Sequence, residues 1–326
     1  MTKWLAAVAG VITAVGPVFC GMAQAAEYPR RAVEMVVPFG AGGASDVFAR
    51  QFSEIASKYL GAPITVVNKG GAGTIEGLAY AYSAPADGYT ILEVTPSLPI
   101  VEAQNRSSIK FRAEFEPIMR VQADVQLIGV PKDSPFQTIE DLVAFGKENP
   151  KKLKIGGISP GGLDDYIAHG FAKAAGFEWN YIPYKGSSVM KAAVLGGELD
   201  VYQDKLISFM SLVESGDIRP LVVISDQRID VPELKDAPSS VEKGIDFTQG
   251  SWRGFVVKRG TPEEIKAKII DAFEQAYADP AYKEVEKQQM TNILPGHLAS
   301  DEFETLLDEE FEHFRAMFEE LGQVKK

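Results

Sequence analysis

Apolar runs with strand spacing alternate with amphipathic helical patterns along most of the chain. Residues 33–37 (VEMVV) are typical of a buried strand, and residues 45–61 place apolar side chains at helical spacing before a terminal glycine. The alternation restarts at residues 152–157, after two strands at 116–131 that follow each other without a helix. This pattern predicts an α/β fold with two doubly wound α/β lobes.

Three glycine-rich turns follow predicted strands, and each opens a predicted helix. They lie at residues 40–45 (GAGGAS), 69–73 (KGGAG) and 158–164 (ISPGGLD). Free backbone N–H groups at a helix start attract anions, and open α/β sheets bind ligands beyond the carboxyl ends of their strands. Two facing lobes would therefore form a cleft in which an anion could bind. The alternative is that all three turns are only structural.

The turns lack the residues that nucleotide-binding loops need. No lysine follows the last glycine of any turn, as a P-loop requires, and Ser45 stands where the dinucleotide fingerprint would have its third glycine. The histidines at 169, 297 and 313 do not have metal-ligand spacing. We therefore expect no cofactor, no bound metal and no enzymatic activity.

One enzyme pattern is a remote alternative. Residues 188–191 (SVMK) fit S-x-x-K, while 225–227 (SDQ) and 258–260 (KRG) approximate the S-D-N and K-T-G motifs of secreted serine hydrolases. Two of the three motifs are imperfect, and the intervals between them are short for the helical domain that such enzymes need.

Composition limits the partners. The 326 residues are enough for two ordinary domains. The net charge of −12 excludes nucleic acid and anionic lipid as main partners, because both need a basic surface. An anionic ligand would have to be held by local dipoles against this overall charge.

The first 25 residues have the pattern of a cleaved signal peptide. A short basic start precedes an apolar stretch, and Ala23-Gln24-Ala25 fits the small-x-small cleavage pattern. A membrane anchor is the alternative, but the apolar run is short and is broken by Pro17. Cleavage after Ala25 would deliver the chain to the periplasm and remove Cys20, the only cysteine, so that no disulfide could form.

Five motifs carry a resemblance to a known family. They are YPRRAVEMVVPFGAGGASDVFAR (28–50), VVNKGGAGTIEG (66–77), PADGYTIL (85–92), YIPYKGSSVMKAAVLGGELDV (181–201) and GDIRPLVVIS (216–225). From residue 28 to about 321, the chain resembles the extracytoplasmic solute-binding receptors of the tripartite tricarboxylate transporter family, the Bug proteins. This resemblance implies a type II periplasmic-binding-protein fold, with two crossing strands and a hinge that closes the lobes on a small organic carboxylate.

The resemblance also implies the partners. The receptor, which we expect to be a monomer, would deliver a di- or tricarboxylate or a similar acid to a membrane permease of one large and one small subunit. The alternative within binding proteins is a sensor that presents its ligand to a membrane kinase.

The ligand-binding residues follow from the same resemblance. The backbone of the first turn and its serine hydroxyl would hold one carboxylate, partly through ordered waters, and the second turn would line the same wall of the cleft. The second lobe would supply the third turn and positions beyond it. These residues are Phe39, Gly40, Ala41, Gly42, Gly43, Ser45 and Asp46 in the first turn, Gly71, Ala72 and Gly73 in the second, Ser159, Gly161, Gly162 and Asp165 in the third, and Tyr184, Lys185 and Asp204 beyond it.

The third turn departs from the family pattern. Many members have a Ser-rich turn followed by His and Leu, whereas Gly162 stands here for that serine and Asp165-Tyr166 for the His-Leu pair. That pair and the RGF strand at Arg253 resemble the tricarboxylate-binding branch, without fixing the ligand. Asp165 could accept a ligand hydroxyl or ammonium, pair with Lys185 or Arg253, or cap its helix. Lys185 and Arg253 could also be surface charges, and Tyr184 a core residue.

Two irregularities predict the lobe boundaries. The consecutive strands around residue 124 and the Pro-containing break after residue 225 predict the two crossings. The first lobe would then combine residues 27–124 with 225–326, and the second lobe would be 125–224.

Overall fold

A computed structural model describes residues 28–158, 160–184 and 186–325. The predicted leader, Ser159 and Lys185 lie outside these described residues. The strands are β1 (Val33–Val37), β2 (Ile64–Asn68), β3 (Thr90–Val94), β4 (Phe115–Asp124), β5 (Gln126–Pro131), β6 (Lys154–Ile158), β7 (Asn180–Tyr184), β8 (Tyr202–Lys205), β9 (Ile218–Ile224) and β10 (Ser251–Lys258). The helices are α1 (Ala44–Leu60), α2 (Ile75–Ser83), α3 (Ser97–Ala103), α4 (Phe111–Glu114), α5 (Ile139–Glu148), α6 (Leu163–Ala175), α7 (Ser187–Leu195), α8 (Leu206–Glu214), α9 (Glu263–Ala278), α10 (Pro280–Gln288) and α11 (Ser300–Glu320).

The first lobe is built on a mixed sheet of strand order β2-β1-β3-β10-β4. β1 runs parallel to β2 and β3, with Val36 opposite both Val67 and Leu92, while β10 is antiparallel to its two neighbours. Phe48 and Phe52 of α1 stack on Phe255 of β10 in the core below. Because the parallel strands end at one edge, the first two glycine turns emerge side by side.

The second lobe combines an antiparallel sheet, β8-β5-β9, with the parallel pair β6-β7. A bridge between Ile155 and Val201 joins the two parts. α6 packs over them and buries Ile167 and Phe171 against Ile155. The third glycine turn therefore emerges from the carboxyl end of β6, in the same relation to its strand as the first turn has to β1.

The strand assignments locate the two crossings between the lobes. The chain leaves the first sheet at Asp124 and enters the second lobe at Gln126. The return does not follow residue 225, because Val231 and Leu234 are buried among the second-lobe strands and the Ser240 N–H donates to the Val223 carbonyl. We therefore assign residues 225–250 to the second lobe and the return crossing to the start of β10.

The last helix packs against both lobes. Phe303 packs in the core of the first lobe, whereas Phe314 and Phe318 pack with second-lobe residues. The ring of Phe314 meets that of Tyr166 edge to face, with centroids 4.6 Å apart. The buried carboxylate of Glu310, between these two halves, accepts hydrogen bonds from Trp252 Nε1. α11 thus ties the return crossing to both lobes.

Candidate functional site

The first turn is shaped from inside by an aspartate. Gly42 has a φ of +77°, and its N–H donates to Asp46 Oδ2 at 2.8 Å. Arg50 Nε donates to the same oxygen at 3.1 Å. The hydrogen bonds from Arg50 and from the Gly42 N–H lower the pKa of Asp46 to about 2, so this carboxylate is ionised. Gly43, the residue before α1, has an extended backbone, so Gly42 is the position that requires glycine.

The third turn repeats this construction in the second lobe. Gly161 has a φ of +66°, and its N–H donates to Asp165 Oδ2 at 2.6 Å. His169 Nδ1 lies 2.7 Å from Asp165 Oδ1, and the hydrogen bond with Asp165 raises the pKa of His169. Each residue of this turn lies 119 positions after its counterpart in the first turn. Asp165 therefore organises its own turn, which favours the capping interpretation over a contact with Arg253.

The second turn packs directly on the first. A Cβ added to Gly70 would lie 2.8 Å from the Gly40 nitrogen, so the two backbones touch. The following residues form a left-handed turn, with φ of +47° at Ala72, +66° at Gly73 and +82° at Thr74. Left-handed conformations strain residues other than glycine, and such strain often lies at functional sites. The Thr74 hydroxyl is buried and has no hydrogen-bond partner among the described residues.

A buried polar group from the first lobe lies beneath the first turn. Arg253 is 5% exposed, and its Nη1 donates to Gln122 Oε1 at 2.8 Å. Its Nε donates weakly to Ser45 Oγ at 3.4 Å and lies 3.7 Å from Glu93 Oε1. Glu93 is fully buried, and neither of its carboxylate oxygens has a hydrogen-bond partner within the described ranges. Burial raises the pKa of Glu93 to about 7, although Arg253 opposes this rise.

The second lobe adds its own buried charges to the same region. Lys205 ends β8, and burial together with the nearby Arg253 lowers its pKa. Burial raises the pKa values of Asp124 and Asp164 to about 6. Gln203 Nε2 donates to the Asp164 carbonyl at 3.3 Å. Ionisable groups of the two lobes therefore meet near the crossing, and they form one interlobe polar cluster. We define this cluster by Ser45, Glu93, Gln122, Asp124, Gln126, Asp164, Gln203, Lys205 and Arg253.

The cluster bears on two of the sequence-based alternatives. Ser45 is buried and its hydroxyl touches Arg253. Because Arg253 is itself buried, it is not a surface charge. Glu93, Gln122 and Lys205 were not among the predicted site residues. The sequence signal for Glu93 as a site residue was its position as a charged residue inside the otherwise apolar strand TILEV.

The remaining predicted site residues lie around this cluster. Phe39 is half-buried, and its carbonyl accepts a hydrogen bond from Asn68 Nδ2 at 3.3 Å. Asp204 accepts hydrogen bonds from the Tyr202 hydroxyl and from its neighbour's backbone N–H, both at 2.8 Å. Tyr184, at the end of β7, is half-buried against the second-lobe core, which favours the core interpretation. Gly40, Ala41 and Gly162 lie in their turns as expected.

Neither a metal-ligand group nor a membrane-crossing helix is present in the described residues. No group of three or more His, Cys, Asp or Glu side chains in these residues has an arrangement suited to a metal ion. Within the same ranges, no helix has the length and apolar character that crossing a membrane requires.

Two α/β lobes whose glycine turns meet at one polar cluster define a periplasmic binding protein of the two-lobed class. Residues 48–323 match the family model described as the tripartite tricarboxylate transporter family receptor. The chain belongs to this family, which confirms the resemblance inferred from its motifs, and the predicted fold class is confirmed with it.

Individual relatives agree along the whole chain. A Cupriavidus necator protein, named UPF0065 protein in gbd 5'region, is 31% identical over 93% of this chain and 91% of its own length. A TctC solute-binding protein from Polaromonas is 26% identical and superposes with a TM-score of 0.78, covering 90% of this chain and 100% of that one. A structure of R. palustris Rpa4515 with adipate is also 26% identical, with a TM-score of 0.73 and coverage of 91% and 99%.

Proposed function

We propose that this protein binds a small organic acid between its two lobes and delivers it to a tripartite transporter permease of one large and one small membrane subunit. The family placement favours transport over a kinase-linked sensor. The related structure with adipate supports an organic acid as the ligand class.

One observation carries the proposal. Two turns of the same construction, one from each lobe, open their helices onto a shared cluster that contains the buried Arg253 and the half-buried Lys205. Ser45 in the first turn of α1 touches Arg253, and Asp164 in the first turn of α6 interacts with Lys205. Helix N termini and fixed backbone N–H groups carry partial positive charge without mobile side chains. A carboxylate between the turns would gain these dipoles while the net charge of −12 disfavours it elsewhere.

The hydrolase alternative has no support in the positions of its motif residues. Lys191 Nζ donates to Ser211 Oγ at 2.8 Å, and Lys258 Nζ donates to the carbonyl oxygens of Tyr82 and Ala84. The two lysines therefore serve separate surface contacts in different lobes. We propose a receptor without catalytic activity.

The proposed location and assembly follow from the sequence. We propose export to the periplasm with cleavage after Ala25, and a monomeric mature protein. Mass spectrometry of the exported protein should give a chain that begins at Ala26, and retention of Met1 would contradict this proposal.

A thermal-shift screen over mono-, di- and tricarboxylic acids tests the ligand class. An acid present at a hundred times its dissociation constant adds about 2.7 kcal/mol to the free energy of unfolding, which raises the melting temperature measurably. Amines and neutral sugars of similar size serve as controls. If no acid raises the melting temperature, or if the controls raise it equally, the proposed function is wrong.

A further inference from the structure

An arginine outside the predicted site lies between two of its glycine turns. Arg106 follows α3, and a Cβ added to Gly73 of the second turn would lie 2.8 Å from its Nη2. Its Nη1 donates to Gln104 Oε1 at 3.3 Å. The same glutamine reaches the third turn, since a Cβ added to Gly161 would lie 2.8 Å from Gln104 Nε2. Arg106 and Gln104 therefore bridge a turn of the first lobe and a turn of the second.

Arg106 lacks the anionic partner that other arginines have. Arg112 pairs with Asp308, Arg315 with Glu319 and Arg50 with Asp46. Within the described residues, Arg106 has no ion pair, and the one hydrogen bond of its side chain goes to a neutral amide. A guanidinium is always charged and carries five donors in a planar fork that matches a carboxylate. This half-buried side chain thus keeps donors available for an acid group.

The turn that Arg106 faces offers a second polar group. Thr74 holds a left-handed conformation that a β-branched residue rarely adopts, and its buried hydroxyl has no partner among the described residues. A bound anion beside the turn would give this hydroxyl an acceptor. The unpaired cation and the unpaired hydroxyl are independent observations that point to the same missing partner.

We propose that Arg106 and the second turn bind a second acidic group of the ligand, which makes Arg106 a specificity-determining residue. This inference rests on the proposed function, in which the first turn holds one carboxylate. The Glu76 carboxylate lies against Gly71 of the second turn, where an added Cβ would be 2.3 Å from its oxygens. An acid group at this turn meets that negative charge, and Arg106 supplies the compensating positive charge. A monoacid would leave Arg106 unpaired, so the receptor prefers diacids and larger polyacids.

Calorimetry with the Arg106→Gln variant tests the inference. The probes are succinate, glutarate and adipate, each compared with the monoacid of the same chain length. Loss of a charged hydrogen bond should weaken the binding of the best diacid by about 10- to 150-fold. Monoacid affinity should change by less than about twofold, as expected for a side chain that does not contact the ligand. Arg106→Lys should restore only part of the diacid affinity, because an ammonium cannot bind bidentately.

Lys110→Gln is the matched control, because it removes the same charge from an exposed side chain of the same segment. This variant should bind diacids and monoacids as the wild type does, and circular dichroism should show all variants folded. Equal weakening of monoacids and diacids in Arg106→Gln would overturn the inference, as would unchanged diacid affinity. If the wild type binds no acid at all, the proposed function itself is wrong. If the wild type binds diacids and Arg106→Gln binds them equally well, only the inference about Arg106 is wrong.

Discussion

The buried carboxyl of Glu93 should make the stability of the protein depend on pH. Burial raises its pKa from the usual 4.5 to about 7, so the folded protein holds a proton that the unfolded chain releases. Because the folded state binds more protons between these pH values, the free energy of unfolding falls as pH rises from about 4.5 to about 7. The difference between the two pKa values corresponds to a loss of about 3 kcal/mol in the free energy of unfolding, at 1.36 kcal/mol for each unit of pKa.

Glu93→Gln replaces the titratable carboxyl group with a neutral amide without changing the size of the side chain. The variant should gain about 3 kcal/mol relative to wild type between pH 4.5 and pH 8, because glutamine cannot ionise in the buried site. Other buried acids, such as Asp124, titrate in both proteins, so the difference between the two curves isolates Glu93. Urea unfolding followed by fluorescence of Trp179 and Trp252 at several pH values measures it.

Glu312→Gln supplies the control, since this glutamate is exposed on α11. Its stability relative to wild type should stay constant over the same pH range. If the Glu93→Gln difference is also constant, then Glu93 is solvated and charged in the folded protein. The description of Glu93 as a buried, protonated member of the interlobe polar cluster would then be incorrect.

Three further predictions concern the turns and the lobes. Gly42→Val should lower the free energy of unfolding by about 1–2 kcal/mol in the same urea assay. The loss comes from the left-handed backbone alone, since a Cβ added to Gly42 meets no atom within 4 Å. Gly43→Val, at an extended position, should lower the free energy of unfolding by less. Ser45→Ala should weaken binding of the best acid about 10- to 150-fold by calorimetry if its hydroxyl holds the ligand; unchanged affinity would limit Ser45 to positioning Arg253. Small-angle scattering should show a smaller radius of gyration with the bound acid than without it, and equal values at saturation would argue against lobe closure.

Much of the fold could be predicted because strand and helix periodicities differ. The apolar run at β1 and the helical spacing of α1 are local signals, and both elements form within a residue or two of their predicted bounds. The return crossing could not be placed in this way. Residues 225–250 contain little regular structure, and only their long-range packing of Val231 and Leu234 against β5 and β9 assigns them to the second lobe.

The candidate site likewise has features that the sequence predicts and features that it does not predict. Glycine turns are visible in the sequence because glycine reports a local backbone requirement. Arg106 and the partners of Glu93 are not visible, because they depend on neighbours that are distant in the chain. Gly161, for example, is 57 positions after Gln104 and touches it only in the folded protein. Charge and residue type alone could not distinguish these side chains from solvated ones.

The two matched turns show why a repeated structure left no evident repeat in the sequence. Glycine at 42 and 161 suits a left-handed position that strains other residues, and aspartate at 46 and 165 is a short acid that reaches the glycine N–H four residues earlier. The residue one turn further along lies beside the same carboxylate in each lobe, where Arg50 in one lobe corresponds to His169 in the other. Gly43 and Ala49 also recur, as Gly162 and Ala168, whereas the other intervening side chains differ. Four identical positions out of nine accompany the same turn in both lobes, and the five that differ make the repeat hard to recognise in the sequence.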